Sequence, residues 1–181
     1  MKNLKYWVLL VLIVFGVLIQ QREPAQLKES TVQFENQVDD LATGVKIQAK
    51  IIRCIDGDTG VFEINDHEYK IRYLLIDTPE TVDPNSKIER FGPEASARSK
   101  KLLSNAQLIE VQLDETNLID THGRLLAHIF VDGEHLQNIL VREGLARIYF
   151  IKNPEDEYLQ ELKESEAFAK ASKLGIWSKT K

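Results

Sequence analysis

Two short acidic turns, Asp56-Gly57-Asp58-Thr59 and Asp77-Thr78-Pro79-Glu80, bracket a pair of strand-like segments, and no other stretch of this chain constrains its fold as tightly. The returning segment places Arg72 in a largely apolar run, after Ile71 and before Tyr73, Leu74, Leu75 and Ile76. Strand pairing brings such turns together although they are far apart in sequence. Hard oxygen ligands suit Ca²⁺ or Mg²⁺ rather than zinc, and an arginine beside such a cation is equipped to hold a phosphate. A structural reading competes at every position. D-G-D between strands is a common turn, and the second tetrapeptide alone reads as a surface turn in which Pro79 restricts Thr78 to extended conformations. An arginine among Ile, Tyr and Leu must be paired or face a ligand. EF-hand spacing fails: counted from Asp56, the Gly position holds Val61 and the Glu position holds His67.

Around this stretch, residues 45–55 are rich in β-branched residues and read as a strand, followed by strands over 61–64 and 68–76 with Asn65-Asp66-His67 as their turn. Pro93-Glu94 opens a helix through Asn105. Residues 108–113 alternate apolar and polar, as a half-buried strand does, and 124–131 form another strand. A second helix carries Leu136, Ile139 and Leu140 on one face and ends at Gly144. Residues 145–151 are extended, and a long charged helix runs from Asn153-Pro154 to about Lys173. Five short antiparallel strands with an intervening helix suit a small Greek-key barrel of the OB type, an α+β fold. Barrel closure would also bring the two acidic turns together.

The 181 residues leave room for one ordinary domain and an appendage. Lys2 and Lys5 precede an uncharged apolar run over residues 6–19, the pattern of a signal-peptide core or a short transmembrane anchor. No pair of small residues offers a good cleavage site behind it, which favours an uncleaved anchor over a secreted product. Either way the positive flank keeps the N-terminus cytoplasmic and exports the rest. The expected organisation is therefore a hydrophobic segment at 1–21, a polar acidic linker at 22–44 and a domain at 45–181. The single Cys54 excludes an internal disulfide and reads as a small core residue. Of 23 Lys and Arg, four precede Val45, and of 28 Asp and Glu, five do, so the domain is near −4. Substrate attraction must then come from a local patch and bound metal.

The strings DGDT, RYLLIDTPET, RFGPEASARSKKLL, DTHGRLLAHIFVDG and SEAFAKASKLGIWS, in that order between about Lys46 and Trp177, resemble the staphylococcal nuclease family. The resemblance implies an OB-fold barrel with three helices and Ca²⁺-dependent hydrolysis of DNA and RNA, single strands preferred, leaving 3′-phosphates. It likens Asp58 and Asp77 to the calcium carboxylates and Thr78 to a main-chain carbonyl ligand, with Asp56 a weaker candidate. Glu80 resembles the residue that positions or deprotonates the attacking water. Arg72 and Arg124 resemble the guanidinium groups that hold the phosphate. The pattern departs where the family commonly has tyrosines: His122 precedes Gly123-Arg124, and Lys152 follows Phe150, which still aligns with a base-stacking ring, with Tyr149 beside it. Those changes bear on nucleotide affinity rather than on hydrolysis. The expected protein is a monomeric, exported or membrane-tethered nuclease; the competing reading is an OB-type nucleic-acid-binding module that has lost catalysis.

Overall fold

The structure is a computed structural model and describes Val38 and residues 41–81 and 88–179. The apolar run 6–19, most of the linker 22–44 and the loop residues 82–87 lie outside the described residues. Among the described residues, no helix is long and apolar enough to cross a membrane. The chain divides into two units, Met1–Leu41 and Ala42–Lys181, and the second is described here.

Among its described residues, eight strands run in chain order: β1 (Lys46–Cys54), β2 (Thr59–Ile64), β3 (His67–Tyr73), β4 (Ile76–Asp77), β5 (Ile109–Leu113), β6 (Leu125–Val131), β7 (Glu134–His135) and β8 (Arg147–Ile148). Three helices accompany them among the described residues of this unit: α1 (Gly92–Asn105), α2 (Leu136–Arg142) and α3 (Leu159–Ala171), with a 3-10 turn at Gly175–Trp177. Five strands in the order β3-β2-β1-β5-β6 close into a barrel through a β3–β6 pairing, the five-stranded OB-fold with three helices that the sequence predicts. The closing pair is parallel rather than antiparallel, because strand directions cannot alternate all the way round a ring with an odd number of members.

Local chemistry accounts for most boundaries. Asn65 and Asp66 both take positive φ (50° and 64°), and Ile64 pairs directly with His67, so the hairpin turn is two residues long and of the primed type these residues favour. Along β3, Tyr69, Ile71 and Tyr73 are buried in the core, which puts Arg72 on the alternate face. β6 is buried at every position, without alternation: its inner face fills the barrel while α2 packs on it from outside. Gln137, rather than Ile139, completes the buried face of α2; its side-chain amide accepts from Ile129 N (3.0 Å) and donates to Ala127 O (3.0 Å).

Three elements depart from the sequence reading. The strand expected over 68–76 breaks after Tyr73, where Leu75 adopts φ 62° and the chain turns so that β4 pairs with β8. Of the extended segment 145–151, only Arg147 and Ile148 join a ladder. The last helix begins at Leu159, not at Asn153, because side chains there compete for the backbone. Asn153 Oδ1 accepts from Glu155 N (3.0 Å) and Asp156 Oδ1 from Tyr158 N (2.9 Å).

Asp156 also reaches a buried histidine pair. His128 Nε2 lies 3.1 Å from Asp156 Oδ2, and His128 Nδ1 shares a hydrogen bond with His135 Nε2 (3.1 Å). His135 is stacked on Phe130 and 7% exposed. Burial, and then the neighbouring His128, pulls its pKa down from 6.5 to about 3. The native state therefore keeps His135 neutral while the unfolded chain protonates it. This contribution to stability is complete above pH 6.5 and is lost as pH falls from there toward 3. One such histidine contributes a slope of about 1.4 kcal/mol per pH unit in that window. Urea midpoints of the wild type and His135→Gln at pH 7, 6, 5 and 4 should show a shallower acid decline in the variant; parallel curves would refute the assignment.

Candidate active site

Asp58 is the hinge between the two acidic turns. The 55–58 turn closes through Ile55 N and Asp56 N, both donating to Thr59 O (2.9 and 3.3 Å), while Tyr73 N donates to Asp58 O (2.8 Å). The Asp58 carboxylate is 5% exposed and accepts from Thr59 Oγ1 at one oxygen and from Thr78 N (2.8 Å) and Thr78 Oγ1 (3.0 Å) at the other. Gly57 makes that approach possible: a Cβ there would lie 2.7 Å from Thr78 Oγ1, closer than side chains tolerate. A structural and a ligand role for Asp58 are thus compatible, because the same contacts that tie the turns together aim its oxygens.

Arg72 fills the space between the carboxylates. Its Nη1 donates to Tyr73 O (3.0 Å) and Ile76 O (2.8 Å), bracing the reversal at Leu74-Leu75. Its Nη2 lies 3.2 Å from Asp58 Oδ2 and 3.1 Å from Asp77 Oδ1. Asp77 meets a second guanidinium on its other oxygen, Arg147 Nη2 at 2.7 Å. Asp56 accepts from Asp58 N through Oδ1 (3.0 Å), and burial together with the Asp58 charge pushes its pKa up to about 6.

Arg124 is held from behind. Asp120 Oδ1 accepts from His122 N and Arg124 N, and Oδ2 from Arg124 Nε (2.7 Å). Burial works against the Asp120 charge, but these donors outweigh it and keep its pKa below the usual carboxylate range. With Nε fixed, the terminal Nη1 and Nη2 of Arg124 have no hydrogen-bond partner among the described residues. Asp120 was not singled out from the sequence; D-x-H-G-R, an acid four residues before an arginine across a glycine turn, is the signal that could have revealed it.

One cavity collects Asp56, Asp58, Arg72, Asp77, Thr78, Pro79, Glu80 and Arg124. Glu80 Oε1 accepts from Thr81 N (2.8 Å), and its own N–H donates to Glu89 Oε2 (3.1 Å). A second, more apolar cavity shares Arg72 and Arg124 and extends past His122, Tyr149 and Phe150 to Lys152. Tyr149 and Phe150 are 52% and 63% exposed, their rings near-parallel at 28°, and Phe150 takes φ 55°, unusual for a bulky residue. Asp58, Arg72, Asp77, Thr78, Glu80, His122, Arg124, Tyr149 and Phe150, all singled out by sequence, therefore line two cavities that share Arg72 and Arg124.

Among the described residues no group of three or more His, Cys, Asp or Glu side chains is arranged to hold a metal ion by itself. The donors that do converge are carboxylates, with the Thr78 carbonyl adjacent in the chain and no sulfur or imidazole in the cavity. Oxygen-only donors in an open arrangement fit a hard cation that completes its shell with water or substrate oxygen.

Comparison with known proteins agrees with this geometry. The sequence model of the family described as staphylococcal nuclease homologue matches residues 70–179. The chain is 41% identical over 133 residues to the SPbeta prophage-derived endonuclease YokF of Bacillus subtilis (strain 168), covering 74% of this chain and 45% of that protein. It is 40% identical over 134 residues to endonuclease YncB of the same organism, covering 74% of this chain and 63% of the relative. Against a thermonuclease of Staphylococcus hyicus it is 36% identical over 129 residues, covering 71% of this chain and 75% of the relative. The chain thus spans between about half and two thirds of the two Bacillus relatives' length. Barrel, cavity and sequence agree: the chain belongs to the staphylococcal nuclease family.

Proposed function

We propose that this protein is a Ca²⁺-dependent nuclease that hydrolyses DNA and RNA, single strands preferentially, to 3′-phosphate products. The observation that carries the reading is the polar cavity, in which Asp58, Asp77 and Glu80 face Arg72 and Arg124. Several carboxylates and guanidiniums gathered in this way cost about as much in desolvation as they return in attraction. They are well suited to a phosphodiester.

Asp58, Asp77 and the Thr78 carbonyl would hold Ca²⁺, which when bound neutralises the diester and supports ionisation of a water. Arg124 offers its two open nitrogens to non-bridging phosphate oxygens, and Arg72 adds a second guanidinium in the same cavity; both meet charge that grows as the pentavalent phosphorus forms. Glu80 accepts the proton of the attacking water. The new P–O bond forms to that water oxygen, the P–O5′ bond breaks, and the departing 5′-oxygen takes a proton from solvent. One chain thus ends in a 3′-phosphate and the other in a 5′-hydroxyl.

His122, Tyr149 and Phe150 line the adjoining cavity, where an unpaired base stacks on the exposed rings. A base must leave its duplex to do so, which is why single strands are the preferred substrate. The apolar run 6–19 would tether the domain outside the cytoplasm, and the reading is of a monomer. The test is full-length protein, solubilised in a mild non-ionic detergent, incubated with denatured DNA in Ca²⁺ and then in EGTA. Chelator-sensitive cleavage is expected. Binding without cleavage would instead identify a nucleic-acid-binding module.

A further inference from the structure

We infer that Arg147 is an internal counter-ion that competes with the cation for Asp77 and so sets the metal affinity of the site. The inference rests on the proposed cation-binding role of Asp77. The backbone itself enforces the contact: Asp77 and Arg147 are cross-strand partners in the two-residue β4–β8 ladder. Arg147 Nη2 reaches Asp77 Oδ2 at 2.7 Å, while Arg72 Nη2 takes Oδ1 at 3.1 Å. Each oxygen of this carboxylate is therefore occupied by a different guanidinium.

The two guanidiniums differ in how firmly they are held. The Arg72 side chain is 15% exposed and also braces Tyr73 O, Ile76 O and Asp58. The Arg147 side chain is 54% exposed, and apart from Asp77 its guanidinium meets the face of Tyr149, 5.9 Å from guanidinium carbon to ring centroid. A divalent cation that uses Asp77 Oδ2 meets a positive charge already seated there. Arg147 is the residue free to leave, and the Tyr149 ring lies beside it as an alternative resting place. Its positive charge thus weakens cation binding when the site is empty of substrate. A pair this exposed makes a modest contribution, so removing the charge should tighten binding by about two- to fivefold.

The test measures Ca²⁺ binding alone, by isothermal titration at low ionic strength without nucleic acid. It uses full-length wild type, Arg147→Gln and Arg147→Lys in the same detergent. Tighter binding in Arg147→Gln, with Arg147→Lys near wild type and all melting temperatures within a few degrees, is the expected result. An unchanged or weaker dissociation constant in Arg147→Gln overturns the inference while leaving the nuclease reading intact. A wild type and variants that all fail to bind Ca²⁺ overturn the cation site and this inference together, a different outcome that the titration separates from the first.

Discussion

Arg72→Ala is expected to lose both stability and activity, the first more steeply than any other single change in the cavity. Four interactions go at once: two main-chain carbonyls that brace the 74–75 reversal lose their donor, and Asp58 and Asp77 lose their shared partner. Asp77 keeps Arg147, but Asp58, 5% exposed, is left with only hydroxyl and amide donors. Breaking a buried pair from one side costs about 3–5 kcal/mol, which for a domain of this size lowers the melting temperature by on the order of 10 °C. Added Ca²⁺ should restore part of that loss, since the cation would neutralise the same carboxylates and binds only the folded state. Activity should fall by about 10²–10³-fold. Arg72→Lys separates the two effects. A lysine keeps the charge but cannot serve both carbonyls and both carboxylates from one planar fork, so stability should recover further than turnover. Calorimetry with and without Ca²⁺, alongside a cleavage assay, reads both. A melting temperature within 2 °C of wild type would show that Arg72 does not hold the turns together.

That prediction depends on contacts of two kinds, and only one kind was legible in the sequence. The acidic turns, Arg72 between them and the closed barrel follow from alternation, turn chemistry and charge in an apolar strand. Each of those signals lies within a few residues of what it specifies. The reversal at Leu75 was not legible, because a leucine at positive φ runs against its own preference and is stabilised by bonds from Arg72 and by Tyr149 N donating to Leu75 O (2.8 Å). The Arg147–Asp77 pair was missed for the same reason: its register comes from a two-residue ladder, too short to leave a periodic trace. The late start of the last helix was not legible either: Asn153 and Asp156 accept from main-chain N–H groups two residues on, and Asp156 is held there by His128, a strand residue distant in sequence. Local grammar fixed the elements, and tertiary hydrogen bonds moved their ends.

Glu80→Gln should produce the largest loss of turnover with the least disturbance of structure. The amide keeps the shape of the side chain and an oxygen to accept from Thr81 N, the bond now made by Oε1, and the main-chain bond to Glu89 does not involve the side chain. What disappears is the negative charge, and with it the capacity to take a proton. Removing a positioned general base typically costs about 10²–10⁴-fold, and the loss should fall on kcat with KM nearly unchanged, because Glu80 is assigned no contact with bound diester. The Ca²⁺ affinity of the variant decides between two roles for the same carboxylate. A dissociation constant close to wild type, with turnover lost, identifies a base acting on water. A markedly weaker one would make Glu80 a cation ligand, and the proton would then have to leave the water for another carboxylate of the cavity, such as Asp56. Retained turnover would remove Glu80 from the mechanism altogether and leave charge stabilisation by Arg72 and Arg124 to account for the rate.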